Sequence, residues 1–178
     1  MSAIGRPQES EYPASAKIYV SQVDSDDVVR VLTEQPGKTL ALLRSIGEER
    51  SGLPYAPGKW TFKQAVGHMS DTERIFAYRA LRIARGDTTP LPGFEQEDYV
   101  RNAGSNQLNL DQLVQEFAAV REATLALVRG MPTEAWVRSG ITSGAPATAR
   151  GLVFMIAGHE LHHYKILQEH AFRSASTA

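Results

Sequence analysis

Five histidines and no cysteine occur in this chain, so any metal site in it must use nitrogen and oxygen donors. The segment Gly158-His159-Glu160-Leu161-His162-His163-Tyr164 holds three of the five. His159 and His163 have the i, i+4 spacing that stacks two side chains one above the other on a helix, where both imidazoles can reach one ion. Leu152, Ile156, Ile166 and Leu167 share their stripe and turn the pair toward a core. Two imidazoles placed there need a partner: a shared cation, or hydrogen bonds of their own. His162 sits on the flank of the stripe, about 100° round the helix, and is not expected to share the ion. His170 lies on the stripe but roughly 10 Å beyond His163, which suits it to the negative end of the helix dipole rather than to the same ion.

Read literally, His159 to His163 also satisfies HExxH, the zinc-protease pattern in which the Glu is a general base. The extended form of that motif requires Gly where Ile166 stands and a third His where Glu169 stands. Glu160 points about 100° away from the ligand stripe, so the expected role is an outer or surface carboxylate. A hydrolase using His159, Glu160 and His163 stands as a third alternative.

A third ligand has to come from another helix, and Gly67-His68-Met69-Ser70-Asp71-Thr72-Glu73-Arg74 supplies His68. Three imidazoles without a carboxylate leave coordination positions open, as in catalytic rather than closed structural sites. Zinc, nickel, iron or manganese suits such a set. Asp71 can orient an imidazole or hold a water, and equally can pair with Arg74 or Lys63. Arg79 and Arg82 are placed to grip a carboxylate on a substrate or cofactor, with Glu95, Glu97 or Asp98 as alternative partners. Trp60 is expected to pack the end of the bundle rather than stack on a ligand.

The elements that must carry these residues read as helices. Apolar residues recur at three and four in long windows, while the alternation of strands is missing almost everywhere. The windows span about Asp26 to Ile46, interrupted at Pro36-Gly37; Thr61 to about Arg85, opened by a Thr61/Gln64 capping box; Asn109 or Leu110 to Val128; and about Ala149 to Ala171. Pro132 to Trp136 can add one short turn. Four such helices, each roughly 30 Å long, enclose a shared core, so the expected fold class is an all-α four-helix bundle. The connections GDTTPLPGFEQEDYVRNAGSN and SGITSGAPAT are long and rich in turn formers, and are candidate pocket walls.

The chain resembles the DinB-like superfamily of metal-binding four-helix bundles. Tyr55-Ala56-Pro57-Gly58-Lys59-Trp60-Thr61, Gly67-His68 to Arg74, and Gly158 to His163 carry the resemblance, which covers about residues 25–170. Ile75 to Asp87 and Leu91-Pro92-Gly93-Phe94 resemble an uncharacterised branch of the superfamily. It implies one His on the second helix and an HxxxH pair on the last as metal ligands, mapping onto His68, His159 and His163. It further implies a transferase or isomerase that uses a low-molecular-weight thiol, with the thiol activated at an open metal position and a small electrophile as substrate. A homodimer is common in the family. A non-catalytic bundle with a structural or sensory metal is the alternative of another class.

Composition removes other classes. With 19 basic against 20 acidic residues the net charge is -1, which disfavours a nucleic-acid partner. No stretch approaches the roughly 18 to 20 apolar residues of a membrane span. The first twenty residues lack the apolar run of a signal peptide, so a cytoplasmic location is expected. Residues 1–24 are expected to form a mobile or draped arm, 25–172 the bundle domain, and 173–178 a frayed tail.

Overall fold

Helix initiation follows the capping chemistry of the sequence. In the computed structural model, which describes residues 4–173, Thr61 and Gln64 form the expected reciprocal capping box, and Asn109 with Gln112 forms a second. The chain runs through α1 (Lys17–Val20), α2 (Val28–Ile46), α3 (Glu48–Ser51), α4 (Phe62–Ala84), α5 (Gln96–Asn102), α6 (Leu110–Arg129), a hairpin of β1 (Ser139–Thr142) and β2 (Ala145–Thr148), and α7 (Ala149–Arg173). Short 3-10 turns lie at Glu9–Glu11, Ala14–Ala16, Ser105–Gln107 and Thr133–Ala135. Pro36 lies inside α2 without breaking it.

The long helices α2, α4, α6 and α7 make the bundle. α4 packs on α6 and α7, and α2 packs on the same two helices from the other side. Consecutive long helices α2 and α4 therefore sit across the diagonal, as do α6 and α7. Two apolar clusters fill the interior. One contains Val28 and Leu32 of α2, Phe76 of α4, Leu125 of α6 and Leu152 of α7; the other contains Leu42, Met69, Phe117 and Leu167 of the same four helices. Between them lies a stratum of buried polar groups, with Gln35 and Thr39 on α2, His68 and Glu73 on α4, Arg121 on α6, and His159, Glu160 and His163 on α7.

Three further features complete the fold. Seven residues of the connection GDTTPLPGFEQEDYVRNAGSN, Gln96–Asn102, form α5. SGITSGAPAT folds as the antiparallel hairpin, turning at Ser143 (φ 52°) and Gly144 (φ 77°), the paired left-handed residues of a type I′ turn. Leu91 bridges to Thr142, and Arg79 donates to Pro92 O (2.6 Å) and Ser143 Oγ (3.1 Å), so both connections are tied to each other and to α4. The segment expected as an arm lies along α7, with Ala16, Val20 and Val23 buried. Gly151 and Gly158 make that approach feasible: a Cβ would stand 2.1 Å from Glu11 O at the first and 2.1 Å from Tyr19 O at the second. Residues 174–178 of the expected tail lie outside the described residues, and Arg173 ends α7. Among the described residues no helix is long and apolar enough to cross a membrane.

Candidate metal centre

α7 sets His159 and His163 one turn apart, and packing of α4 against α7 brings His68 to meet them. His68 Nε2 lies 3.1 Å from His159 Nε2, and His163 Nε2 lies 3.2 Å from the same atom. One nitrogen from each residue falls within 4.8 Å of the others, and all three side chains are buried. Metal–nitrogen bonds of about 2.0 to 2.1 Å put neighbouring ligand nitrogens about 2.8 to 3.4 Å apart for right-angle to tetrahedral bond angles. The observed separations fall in that range.

Electrostatics point the same way. Burial lowers the His68 pKa to about 4 against an opposing pull from Glu97. Burial, then the neighbouring imidazoles, lowers His163 to about 3 and holds His159 well below the ordinary histidine value. All three rings are therefore neutral at neutral pH, and each has one lone pair to offer. Three rings whose Nε2 atoms converge cannot all be satisfied by hydrogen bonds to one another, since each neutral imidazole has one donor and one acceptor nitrogen. A cation satisfies them at once. His163 Nδ1 is buried with no protein partner, while His68 Nδ1 lies 3.5 Å from Thr72 Oγ1. The donor set fits a divalent ion with open positions.

The other residues singled out from the sequence go elsewhere. His162 turns its Nδ1 to Gln22 Nε2 at 3.4 Å and stays out of the cluster. His170 accepts at its backbone oxygen from Arg50 (2.8 Å), and its ring meets Tyr55. Asp71 pairs with Arg74 at 3.4 Å, and the side chain beside His68 Nδ1 is Thr72. Arg79 ties loops together, as described, and Arg82 pairs with Asp87 and Tyr78. Glu160 is 2% exposed, not a surface group; it accepts from Thr39 (2.6 Å) and Gln35 and forms an ion pair with Arg121 (2.7 Å). Held on the side of α7 that faces α2 and α6, it lacks the geometry for the general base of an HExxH enzyme.

Trp60 packs against the second apolar cluster, as expected from the sequence, and it also reaches the imidazoles. Its ring lies 4.8 Å from that of His68 and nearly parallel to that of His163, at 6.4 Å and 16°. Helical side chains lean toward the helix N-terminus, and this lean carries the His68 ring back over the start of α4, where Trp60 stands. Trp60 Nε1 donates to Glu97 Oε2 on α5 (3.1 Å). On the opposite flank Tyr19 of α1 meets His159 edge-on at 5.2 Å. The Trp at the mouth of the capping box was a legible hint; the positions of Tyr19 and Glu97, contributed by distant segments, had no local signal.

Comparison with known proteins gives a consistent picture. Two relatives bear the name "Putative metal-dependent hydrolase". One, from Oceanobacillus iheyensis, is 24% identical over 137 residues, 76% of each chain. The other, from Geobacillus thermodenitrificans, is 25% identical over 119 residues, 64% of this chain and 67% of its own. The structure superposes on that of YfiT from Bacillus subtilis with a TM-score of 0.78, at 18% identity, over 95% of this chain and 93% of the other. YfiT is described as "a probable metal-dependent hydrolase with an unusual four-helix bundle topology". Residues 32–167, which include all three clustered histidines and most of each of the four bundle helices, match the DinB superfamily, and the chain belongs to that family.

Proposed function

We propose that this chain is a divalent-metal-dependent enzyme of the small-thiol-dependent transferase type, acting on a small electrophilic substrate. The observation that carries the reading is a cluster of three neutral imidazoles whose adjacent carboxylate, Glu160, is committed to Arg121 and turned away. A divalent ion supplies positive charge next to an open position, which draws the pKa of an incoming thiol toward neutrality without needing a side-chain base. The sulfur arrives on a cofactor or substrate, because the chain has no cysteine.

The chain's own residues have separable tasks. His68, His159 and His163 turn Nε2 toward one another, with burial holding the rings neutral. Thr72 stands against His68 Nδ1 and fixes that ring's rotation. Trp60 covers His68 and His163 and keeps water from that flank. Glu97, anchored by Trp60 Nε1, stands at the rim, where a carboxylate can take the proton that a nucleophile gives up.

The names of the sequence relatives favour hydrolysis as the second reading, with water as nucleophile and Glu97, rather than Glu160, as proton acceptor. The test is turnover of an aryl halide or epoxide by metal-loaded protein with glutathione, bacillithiol or mycothiol, beside ester and amide substrates without thiol. Thiol-dependent product that disappears in His159→Ala supports the transferase. Equal turnover without thiol assigns hydrolysis. Undiminished metal content in both His68→Ala and His159→Ala removes the site.

A further inference from the structure

Arg121 is buried at 1% exposure on α6, one of the two bundle helices that bear none of the clustered histidines. Its guanidinium nonetheless reaches both helices that do. Nε and Nη2 donate to the two oxygens of Glu73 on α4 at 2.8 and 2.7 Å, and Nη1 pairs with Glu160 on α7 at 2.7 Å. Nη1 also donates to Leu32 O on α2 at 3.2 Å. One side chain thus ties together all four bundle helices. Its two carboxylate partners occupy telling positions: Glu73 lies little more than one turn beyond His68, and Glu160 directly follows His159.

We infer that Arg121 is a positioning residue for the metal centre, clamping α4 to α7 through Glu73 and Glu160 so that the three Nε2 atoms are held at ligand spacing; this rests on the metal reading above. Apolar contacts alone allow small slides and rotations of one helix on another. A planar guanidinium forked onto one carboxylate and bonded to a second does not, because each bond is charge-assisted, directional and shielded from water. Thr39 and Gln35 of α2 close the remaining side of Glu160, and Gln35 Nε2 also donates to Ala157 O at 3.0 Å, fixing α7 two residues before His159. The clamp lies in the same polar stratum as the histidines, between the two apolar clusters, so a shift at its level passes directly to the imidazoles.

Cobalt(II) titration of the full chain tests this, read by its visible ligand-field bands and its affinity, with thermal melts alongside. Arg121→Lys keeps the charge but not the fork, and is expected to weaken cobalt binding about ten- to a hundredfold and to alter the bands. Val128→Ala, a core truncation in the apolar cluster toward the other end of α6, controls for stability: it is expected to lower the melting temperature while leaving affinity and bands as in the parent. If Arg121→Lys does not fold, Glu73→Gln and Glu160→Gln carry the same expectation with smaller perturbation. A folded clamp variant with parental affinity and spectrum overturns the proposal, as does a loss no greater than that of Val128→Ala. Parental protein that binds no cobalt, zinc, nickel, iron or manganese overturns the metal reading itself, and the clamp falls with it.

Discussion

His68, His159 and His163 hold a tension that pH can expose. Burial lowers all three pKa values, so in chelator-treated protein the folded state refuses protons that the unfolded chain accepts below about pH 6.5. Stability then falls as pH drops from about 6.5 toward 4, by about 1.4 kcal/mol per pH unit for each withheld proton. A melting series across that range should slope steeply for the parent and less so for His68→Gln; parallel profiles would refute the assignment. Trp60 offers a second reading at this scale. Only two tryptophans are present, and Trp60 lies against two of the clustered rings. Cobalt(II) should quench its fluorescence strongly, and Trp60→Phe should abolish most of the quenching; a persistent signal would assign it to Trp136. Glu160 shows how neighbours in sequence diverge: burial pushes its carboxyl up, and Arg121 and Thr39 pull it down, while the adjacent His159 faces α4.

Among the elements, α7 does the most, carrying two of the clustered histidines, one end of the clamp and the groove for the N-terminal segment. The glycines that open this groove define a pair of contrasting predictions. Gly151→Ala and Gly158→Ala place a methyl group on the backbone of Glu11 or Tyr19 and should destabilise by about 1 to 3 kcal/mol. Gly37→Ala, inside α2 with nothing within 4 Å of the new Cβ, should stabilise by about 0.5 to 1 kcal/mol. Denaturant unfolding separates the two signs, and a gain at Gly158 would mean that α1 does not seat on α7. The long helices were legible because three-and-four periodicity and capping boxes are local signals. The hairpin and α5 were not: strands of four residues and a helix of seven are too short for periodicity, and docking on Ile83, Leu91 and Arg79 holds them instead.

For the whole molecule, metal binding and folding are linked, since the site joins the diametric pairs of the bundle through α4 and α7. Stripping the ion should lower the melting temperature, and restoring it at a hundredfold excess over Kd should return about 2.7 kcal/mol. In a domain of this size that corresponds to a shift of about 5 to 10 °C. His159→Ala protein should show no such response to chelator or metal; an equal response would place the ion elsewhere. The polar stratum that divides the core into two apolar clusters makes this linkage physical, because the three histidines and Arg121 with its carboxylate partners occupy the layer between the clusters.

The all-helical class, the span of each long helix and the i, i+4 register of His159 and His163 were determined by the sequence itself, because helical geometry turns spacing along the chain into position on a face. His68 could be named as the third member by its place on a second helix, but its meeting with the pair depends on how α4 packs against α7. Tertiary structure alone decided that Glu160 serves Arg121, that the Trp60 ring lies nearly parallel to that of His163, and that residues before α2 wedge into glycine grooves on α7. Each of these is a contact between segments far apart in the chain, set by which helices are neighbours and which are diagonal, and no local periodicity encodes that order.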